Sequence, residues 1–230
     1  MKFGIKKSPH STLGTLSAFT GRVNEPIDKA VNDVDIDIII VTYNSSGIIN
    51  DCLASIANVD YPLTKIHVYV VDNGSEDDSI STVESFKAEF ELKSISAGKN
   101  IGFGRGNNLG AKQGSSPYLL FLNPDARLTR HSLKALAIDI GRSSERTGAW
   151  ECRQFPYEHP KQYNPASMEI EWASGACLLV KRNVFHRISG FDPLIFLYAE
   201  DVDISWRGRK KGYSIRYVPS ALVEHNAKSE

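Results

Sequence analysis

Two aspartates occupy positions where a carboxylate could do chemistry. Asp125 follows the apolar run Tyr118 to Leu122 on an Asn123-Pro124-Asp125-Ala126 turn, and Asp201 lies in the acidic run Glu200-Asp201-Val202-Asp203. A carboxylate placed just beyond a buried strand is either a turn-former, as Asp after Pro often is, or a ligand for a divalent cation on a diphosphate. Acidic residues that open a helix satisfy its free amides and macrodipole. His225 closes a short apolar run, where a lone histidine reads as structural. Three further polar clusters, Thr42-Tyr43-Asn44, Asp72-Asn73-Gly74-Ser75 and Gly98 to Gly106, also follow apolar runs. Helix N-termini and glycine turns offer backbone N–H groups to a diphosphate, while Asp72 can accept from a pyrimidine N–H or a ribose hydroxyl. The chemistry these residues suit is that of a nucleotide.

Two common nucleotide fingerprints are nevertheless absent. Gly102, Gly104 and Gly106 alternate, but Asn107 and Leu109 stand where G-x-G-x-x-G needs glycine, and no G-x-x-x-x-G-K-[ST] occurs. A nicotinamide dehydrogenase and a P-loop phosphotransferase are thereby disfavoured.

The elements that must position these clusters are legible in the apolar pattern. Ile36 to Val41 is a β-branched run that predicts a buried strand, and Ile49, Cys52, Leu53 and Ile56 then mark one face of a helix. Ile66 to Val71 predicts a second strand. Ile80, Val83, Phe86 and Phe90 predict a second helix. A weaker strand near Ser94 to Ser96, a glycine-rich turn with a short helix, the strand Tyr118 to Leu122 and a helix striped by Leu133, Leu136, Ala137 and Ile140 complete this half. Alternating strands and helices imply an α/β fold with a largely parallel sheet covered on both faces, whose ligands gather beyond the carboxyl ends of the strands. Farther on, Gly148 to Pro165 reads as a long irregular excursion. Trp172 to Lys181 returns to strand character, Ile188 to Leu197 reads as a loop, and Asp201 to Lys211 as a helix with Gly212 at its C-cap. Tyr213 to Val218 and Ala221 to Val223 read as two short strands.

Composition narrows the classes of partner. The 230 residues are 41% hydrophobic and 23% charged, with 27 basic and 27 acidic side chains, so no overall field draws the chain to nucleic acid. Apolar runs fall far below the ~20 residues that cross a bilayer. Residues 1–34 have no clear period and read as a lead-in or linker; Lys2, Lys6 and Lys7 precede no apolar signal-peptide core. Cys52, Cys152 and Cys177 show neither metal nor redox spacing. A cytoplasmic setting follows as the expectation.

The ordered segments Ile-Val-Thr-Tyr-Asn-Ser (40 to 45), Val-Val-Asp-Asn-Gly-Ser (70 to 75), Asn-Ile-Gly-Phe-Gly-Arg-Gly-Asn-Asn-Leu-Gly (100 to 110), Leu-Asn-Pro-Asp-Ala (122 to 126), Trp-Ala-Ser-Gly-Ala-Cys (172 to 177), Gly-Phe-Asp (190 to 192) and Phe-Leu-Tyr-Ala-Glu-Asp-Val-Asp (196 to 203) carry a resemblance. From Asp35 to His225 the chain resembles the GT-A-fold, family 2 inverting glycosyltransferases, and most of all their rhamnosyltransferase-like branch. The resemblance implies a Rossmann-like GT-A domain over residues 35–230, with a nucleotide-binding half (35–126) and an acceptor-side half (127–230). It implies that Thr42, Tyr43, Asn44, Asp72, Asn100, Gly102, Asn123 and Asp125 line the nucleotide site. Asn123 stands where the family's Asp-x-Asp metal motif has its first acid, which leaves Asp125 and His225 to hold Mg²⁺ or Mn²⁺. Asp201 matches the catalytic base, and Trp172, Ser174, Gly175 and Glu200 would border sugar and acceptor. Trp172 is otherwise a core tryptophan, and Arg153, Tyr157 and His159 either shape an acceptor groove or merely pack their loop.

The implied donor is a dTDP- or UDP-sugar and the implied acceptor a bacterial polysaccharide or a lipid-linked glycan. Peripheral membrane association or membership of a larger multidomain chain is a further expectation. The other reading is a non-catalytic nucleotide-sugar or glycan-binding module of a polysaccharide synthase; retention of Asp201 favours the enzyme.

Overall fold

The computed structural model describes residues 34–158 and 162–225. The expected lead-in, up to residue 33, and His159 lie outside the described residues.

The first half folds as its pattern predicts. β1 (Ile36–Thr42) is buried along its whole length, as an interior parallel strand must be, and α1 (Ile49–Ala57) turns Ile49, Cys52, Leu53 and Ile56 into the core. A single 3₁₀ turn at Leu63–Lys65 leads to β2 (Ile66–Asp72), then α2 (Ser79–Ser85), β3 (Glu91–Ser96), α3 (Phe103–Ala111) and β4 (Tyr118–Leu122). The one acid inside β1, buried Asp37, is held by the Arg182 guanidinium and by Ser116, whose hydroxyl donates at 2.5 Å. α3 lies close on β1 and β2 because Gly106 and Gly110 face Val41 and Ile39 without a side chain between.

The second half comprises β5 (Ala126–Leu128), α4 (Ser132–Arg142), β6 (Thr147–Pro156), β7 (Glu169–Ile170), β8 (Cys177–Lys181), α5 (Arg182–Arg187), α6 (Glu200–Lys210) and β9 (Ser214–His225). All strands join one sheet of order β3-β2-β1-β4-β8-β6-β9-β5, with β7 on β9. The run β3-β2-β1-β4 is parallel and the remainder mixed. Register decides what meets at the edge. Thr42 pairs with Asp72 and Asp72 with Ser96, so these strand ends are level. β8 runs antiparallel to β4 and places Cys177 opposite Leu122, so the segment entering β8 arrives where β4 leaves. His225 pairs with both Pro156 and Ala126, so the ends of β6 and β9 and the start of β5 coincide. Every polar cluster of the first half and the histidine of the second therefore lie along one edge.

Four expectations are corrected. α2 stops at Ser85: Phe86 is extended at ψ 124°, and Phe86 and Phe90 pack ring on ring at 6.3 Å outside the helix. The supposed irregular excursion over Gly148 to Pro165 contains most of β6. The strand read over Trp172 to Lys181 begins only at Cys177, and α5 precedes the expected loop. The two short strands near the C-terminus are one, β9, whose pairing to β6 jumps from Val218 to Leu222 so that Pro219 leaves the ladder. Gly212 follows α6 at φ +87°, as a helix-ending glycine does.

Gly110→Ala tests the seating of α3. A Cβ there would sit 2.5 Å from the Ile39 Cγ2 methyl. Alanine gains ~1 kcal/mol in helix propensity, but overpacking costs about 1–3 kcal/mol. Urea unfolding should show a net loss of up to ~2 kcal/mol; a more stable variant would contradict the close approach.

Candidate active site

At the end of β1, Asn44 (φ +51°) accepts from the Glu76 amide at 2.9 Å and its own amide donates to Ser75 Oγ at 2.9 Å, which ties the first two strand ends together. Tyr43 is half exposed at the mouth. Asp72 is buried and organises its turn, accepting from Ser75 Oγ at 2.5 Å and from the Gly74 and Ser75 amides at 3.1 Å. The Ser75 amide also lies 3.3 Å from Asp72 Oδ1, so both carboxylate oxygens are held by the turn. Asn100 Oδ1 accepts from the Gly102 amide at 3.0 Å. Gly102 needs its type: at φ +88° a Cβ would lie 2.5 Å from the Phe196 carbonyl oxygen, which accepts from the Phe103 amide. The loop before α6 thus crosses the N-terminus of α3.

The segment Ala173 to Ala176 joins the two halves of the site. Its four consecutive amides donate to side-chain oxygens: Ala173 to Ser205 Oγ at 3.1 Å, Ser174 to Glu151 Oε1 at 2.9 Å, Gly175 to Asp201 Oδ2 at 3.1 Å and Ala176 to Ser174 Oγ at 3.3 Å. This is why the stretch is not a strand. The Ala176 carbonyl in turn accepts from the Asn123 amide at 3.0 Å. Asp201 is therefore anchored beside Gly175, one residue from the contact that holds the Asn123 to Asp125 turn. Trp172 is half-buried at the start of the same segment.

Asp201 Oδ1 also accepts from the Val202 amide at 2.8 Å. The two residues before Glu200 are in the left-handed region, Tyr198 at φ +68° and Ala199 at φ +67°. Such conformations cost about 1–3 kcal/mol each and collect at functional sites. Glu200 is buried, and burial pushes its carboxyl above the usual range, with the Asp201 charge adding to the effect. Leu194, Phe196, Leu197 and Tyr198 stand exposed on the loop leading to this helix. Arg207, within the basic end of α6, pairs with Asp203 and donates to the Gly190 carbonyl at 2.8 Å, so it holds the loop.

Asp125 and His225 meet as expected: Oδ1 and Nε2 are 3.3 Å apart. Burial works to raise the Asp125 carboxyl, but the hydrogen bond and charge of His225 outweigh it and hold the group below its ordinary value. Among the described residues no three His, Cys, Asp or Glu side chains group as a metal cage. The pair still fits a shared cation. Two adjacent ligands of an octahedral Mg²⁺, each about 2.1 Å away, lie roughly 3 Å apart. The buried Asn123 Oδ1 has no hydrogen-bond partner among the described residues, and the amide nitrogen of the same side chain is 3.5 Å from His225 Nε2. Imidazole and carboxylate are donor types that suit Mg²⁺ or Mn²⁺ and would leave positions for diphosphate oxygens and water.

Other buried polar atoms without a partner among the described residues are Thr42 Oγ1, Asn73 Oδ1 and Glu200 Oε2 at this edge, and Ser214 Oγ at the opposite one. Unpaired buried polar groups are uncommon, so their gathering here marks a surface made for a polar ligand. Asn73 and Gln154 are the residues that sequence reasoning missed. Asn73 lay inside a quoted motif, whereas Gln154, whose Oε1 is 3.0 Å from His225 Nδ1, carried no signal. Arg153 and Tyr157 are exposed, and Arg153 Nε lies 3.7 Å from Glu158 Oε2. The three cysteines are buried and free.

In open α/β sheets the carboxyl ends of the strands are where ligands bind, and the polar clusters collect at that edge. Residues 37–203 match the family model for glycosyl transferase family 2, and the chain belongs to that family. It is 28% identical to the N-acetylglucosaminyl-diphospho-decaprenol L-rhamnosyltransferase of Mycobacterium tuberculosis, over 82% of this chain and 75% of the relative. The fold is similar to a mannosyltransferase from Pyrobaculum calidifontis in complex with GDP-Man and Mn²⁺ (TM-score 0.71, 20% identity, 86% of this chain and 58% of that one). It is also similar to Staphylococcus aureus TarS 1–349 in complex with UDP-GlcNAc (TM-score 0.70, 21% identity, 83% and 58%). The chain thus spans less than two thirds of these solved chains. The GT-A fold expected from the motifs is present.

Glu200 provides a test by pH. Its folded-state carboxyl titrates above the ordinary 4.5, so ionising it costs stability at neutral pH, and the cost disappears as pH falls below the unfolded value. Glu200→Gln should melt higher than the wild type at pH 7, with the gap closing toward pH ~4. A gap that is absent at pH 7, or that widens in acid, would contradict the assigned burial.

Proposed function

We propose that this protein is an inverting glycosyltransferase that moves a hexose, rhamnose being the leading candidate, from a dTDP- or UDP-sugar to a hydroxyl of a bacterial polysaccharide or lipid-linked glycan. The observation that carries the reading is the gathering of partnerless buried polar atoms and two carboxylates, Asp125 and Asp201, at one sheet edge. The similarity to a rhamnosyltransferase whose name specifies a diphospho-decaprenol acceptor supports both donor and acceptor class.

In this reading Thr42, Tyr43, Asn44, Asp72, Asn100 and Gly102 receive the nucleotide, with Asp72 toward the base. Asp125 Oδ1 and His225 Nε2, helped by Asn123 Oδ1, would hold a divalent cation, which supplies charge neutralisation for the departing diphosphate. Asp201 takes the proton from the acceptor hydroxyl as its oxygen attacks the anomeric carbon from the face opposite the leaving group, which inverts the configuration. Its Oδ2 is oriented by the Gly175 amide and its Oδ1 by the Val202 amide, so the carboxylate is fixed before substrate arrives. Trp172 offers a ring face to a pyranose, Gly175 permits close approach, and Glu200 Oε2 and Ser174 border the sugar. The exposed apolar side chains before α6 lie on the acceptor side and suit a lipid-linked acceptor presented at the cytoplasmic face of a membrane. No helix among the described residues is long and apolar enough to cross one.

Asp201→Asn is the decisive variant. Loss of a positioned general base costs about 10²–10⁴ in turnover. Transfer assayed over a panel of nucleotide sugars should fall by that factor, while calorimetric affinity for the nucleoside diphosphate stays within about twofold of the wild type. Normal turnover in the variant would remove Asp201 from the mechanism.

A further inference from the structure

We propose that the outward face of α6, together with the loop that leads into it, docks on an anionic lipid bilayer and so holds the mouth of the site at the headgroup level. The purpose of such a surface rests on the lipid-linked acceptor named above.

α6 sorts its side chains by direction. Glu200, Ile204, Ser205 and Gly208 are buried, Asp201 is held by the Gly175 amide, and Asp203 is paired with Arg207. The positions left exposed are Val202, Trp206, Arg209 and Lys210, with Lys211 next, and none of them is acidic. Val202, Trp206 and Lys210 are four apart and therefore share one stripe. Lys210 Nζ lies 3.7 Å from the centre of the Trp206 ring. An indole body with an ammonium at its side suits the boundary between acyl chains and headgroups, where the ring enters the apolar layer and the charge stays among phosphates.

The loop extends this surface. Leu194 is 86% and Tyr198 80% exposed, with Phe196 and Leu197 beside them in the chain. Their backbone is nevertheless held: the Pro193 carbonyl accepts from Arg105 Nε at 2.7 Å, Asp192 Oδ1 accepts from the Leu194 amide at 2.9 Å, and the Phe196 carbonyl accepts from the Phe103 amide at 3.0 Å. Single exposed apolar residues are ordinary, but a contiguous group on a fixed backbone marks an interaction surface. Charge selects the occupant. The chain as a whole is balanced at 27 basic and 27 acidic side chains, so attraction to an anionic surface has to be local. Arg209 has Glu171 at 3.8 Å, while no ion pair engages Lys210 or Lys211 among the described residues. Two copies of this face brought together would set these lysines against each other, whereas anionic headgroups above acyl chains match both the cations and the apolar stripe. Val202 directly follows Asp201, so a bilayer seated on the stripe brings headgroup-linked sugars toward the base.

Sedimentation of the full chain with vesicles tests the surface without turnover. Binding is expected to vesicles of equal parts phosphatidylglycerol and phosphatidylcholine, to weaken as salt is added, and to be much weaker with phosphatidylcholine alone. Lys210→Gln combined with Lys211→Gln should weaken it by about fivefold per lysine. Trp206→Ala should weaken it by about tenfold, and both variants should melt at the wild-type temperature. Brominated lipid identifies the face in contact: it should quench tryptophan fluorescence in the wild type, and the quenching should be largely lost in Trp206→Phe, because Trp150 is buried and Trp172 half-buried. Absence of binding to the phosphatidylglycerol vesicles, or binding that all these variants retain in full, would overturn the proposal. A concentration-dependent dimer abolished by Trp206→Ala would also overturn it, by giving the face to a second copy. Any of these failures leaves the Asp201→Asn assay as it stands, and normal turnover in that variant would in turn leave vesicle binding untouched.

Discussion

The four successive amides of Ala173 to Ala176 are the constraint on which the site depends. A backbone segment in a sheet normally gives its N–H groups to a neighbouring strand; this one gives them to Ser205, Glu151, Asp201 and Ser174. The exchange fixes the entry to β8 against both β6 and α6, and the Ala176 carbonyl adds the Asn123 turn. Charge-assisted hydrogen bonds are roughly twice as strong as neutral ones, and two of the four acceptors are carboxylates. The segment therefore sets the spacing between the acid near the end of β4 and the acid at the start of α6.

The rest of the edge manages the cost of that arrangement. Gathering Asp72, Asp125, Glu200 and Asp201 in one place is unfavourable unless each has a partner. Asp72 is held by its own turn, Asp125 by His225 and Asp201 by two amides. Glu200 keeps one oxygen without a partner among the described residues and shows the cost in its raised carboxyl. The strained pair Tyr198 and Ala199 turns the chain sharply into α6, and Asn108, bonded to both the amide and the carbonyl of Phe191 at 2.9 and 2.8 Å, fixes the loop before it. A site that stores unsatisfied polarity and backbone strain is one that a ligand completes.

The parallel strands were legible because they are buried on both faces and so read as continuous apolar runs; Ile36 to Val41 and Tyr118 to Leu122 needed no further information. β6 was not legible because its inward positions include Glu151 and Gln154, which break the apolar alternation. Those same polar residues hold Ser174 and His225, so the strand was unreadable for the reason that it serves the site. The Trp172 stretch misled in the opposite sense: small and apolar side chains suggested a strand, while the amides had been committed to distant side chains. Phe86 and Phe90 kept helical spacing by chance of ring packing. Asp125, Asp201 and His225 were singled out through motif resemblance, and the structure brings Asp125 Oδ1 and His225 Nε2 within 3.3 Å. Of the two bonds that orient Asp201, the one from the Gly175 amide joins residues 26 apart, which no local pattern encodes.

The central claim is that the Asp125 turn and the Asp201 helix share one pocket, with the cation and diphosphate between them. Paramagnetic broadening of backbone amide signals by Mn²⁺, with UDP present, measures this directly. Broadening concentrated on Asn123 to Ala126, Ser174 to Ala176 and the first turn of α6, sparing Lys181 and Tyr213 at the opposite edge, is the predicted result. Broadening that reaches Lys181 and Tyr213 while leaving Gly175 and Asp201 sharp would contradict the account.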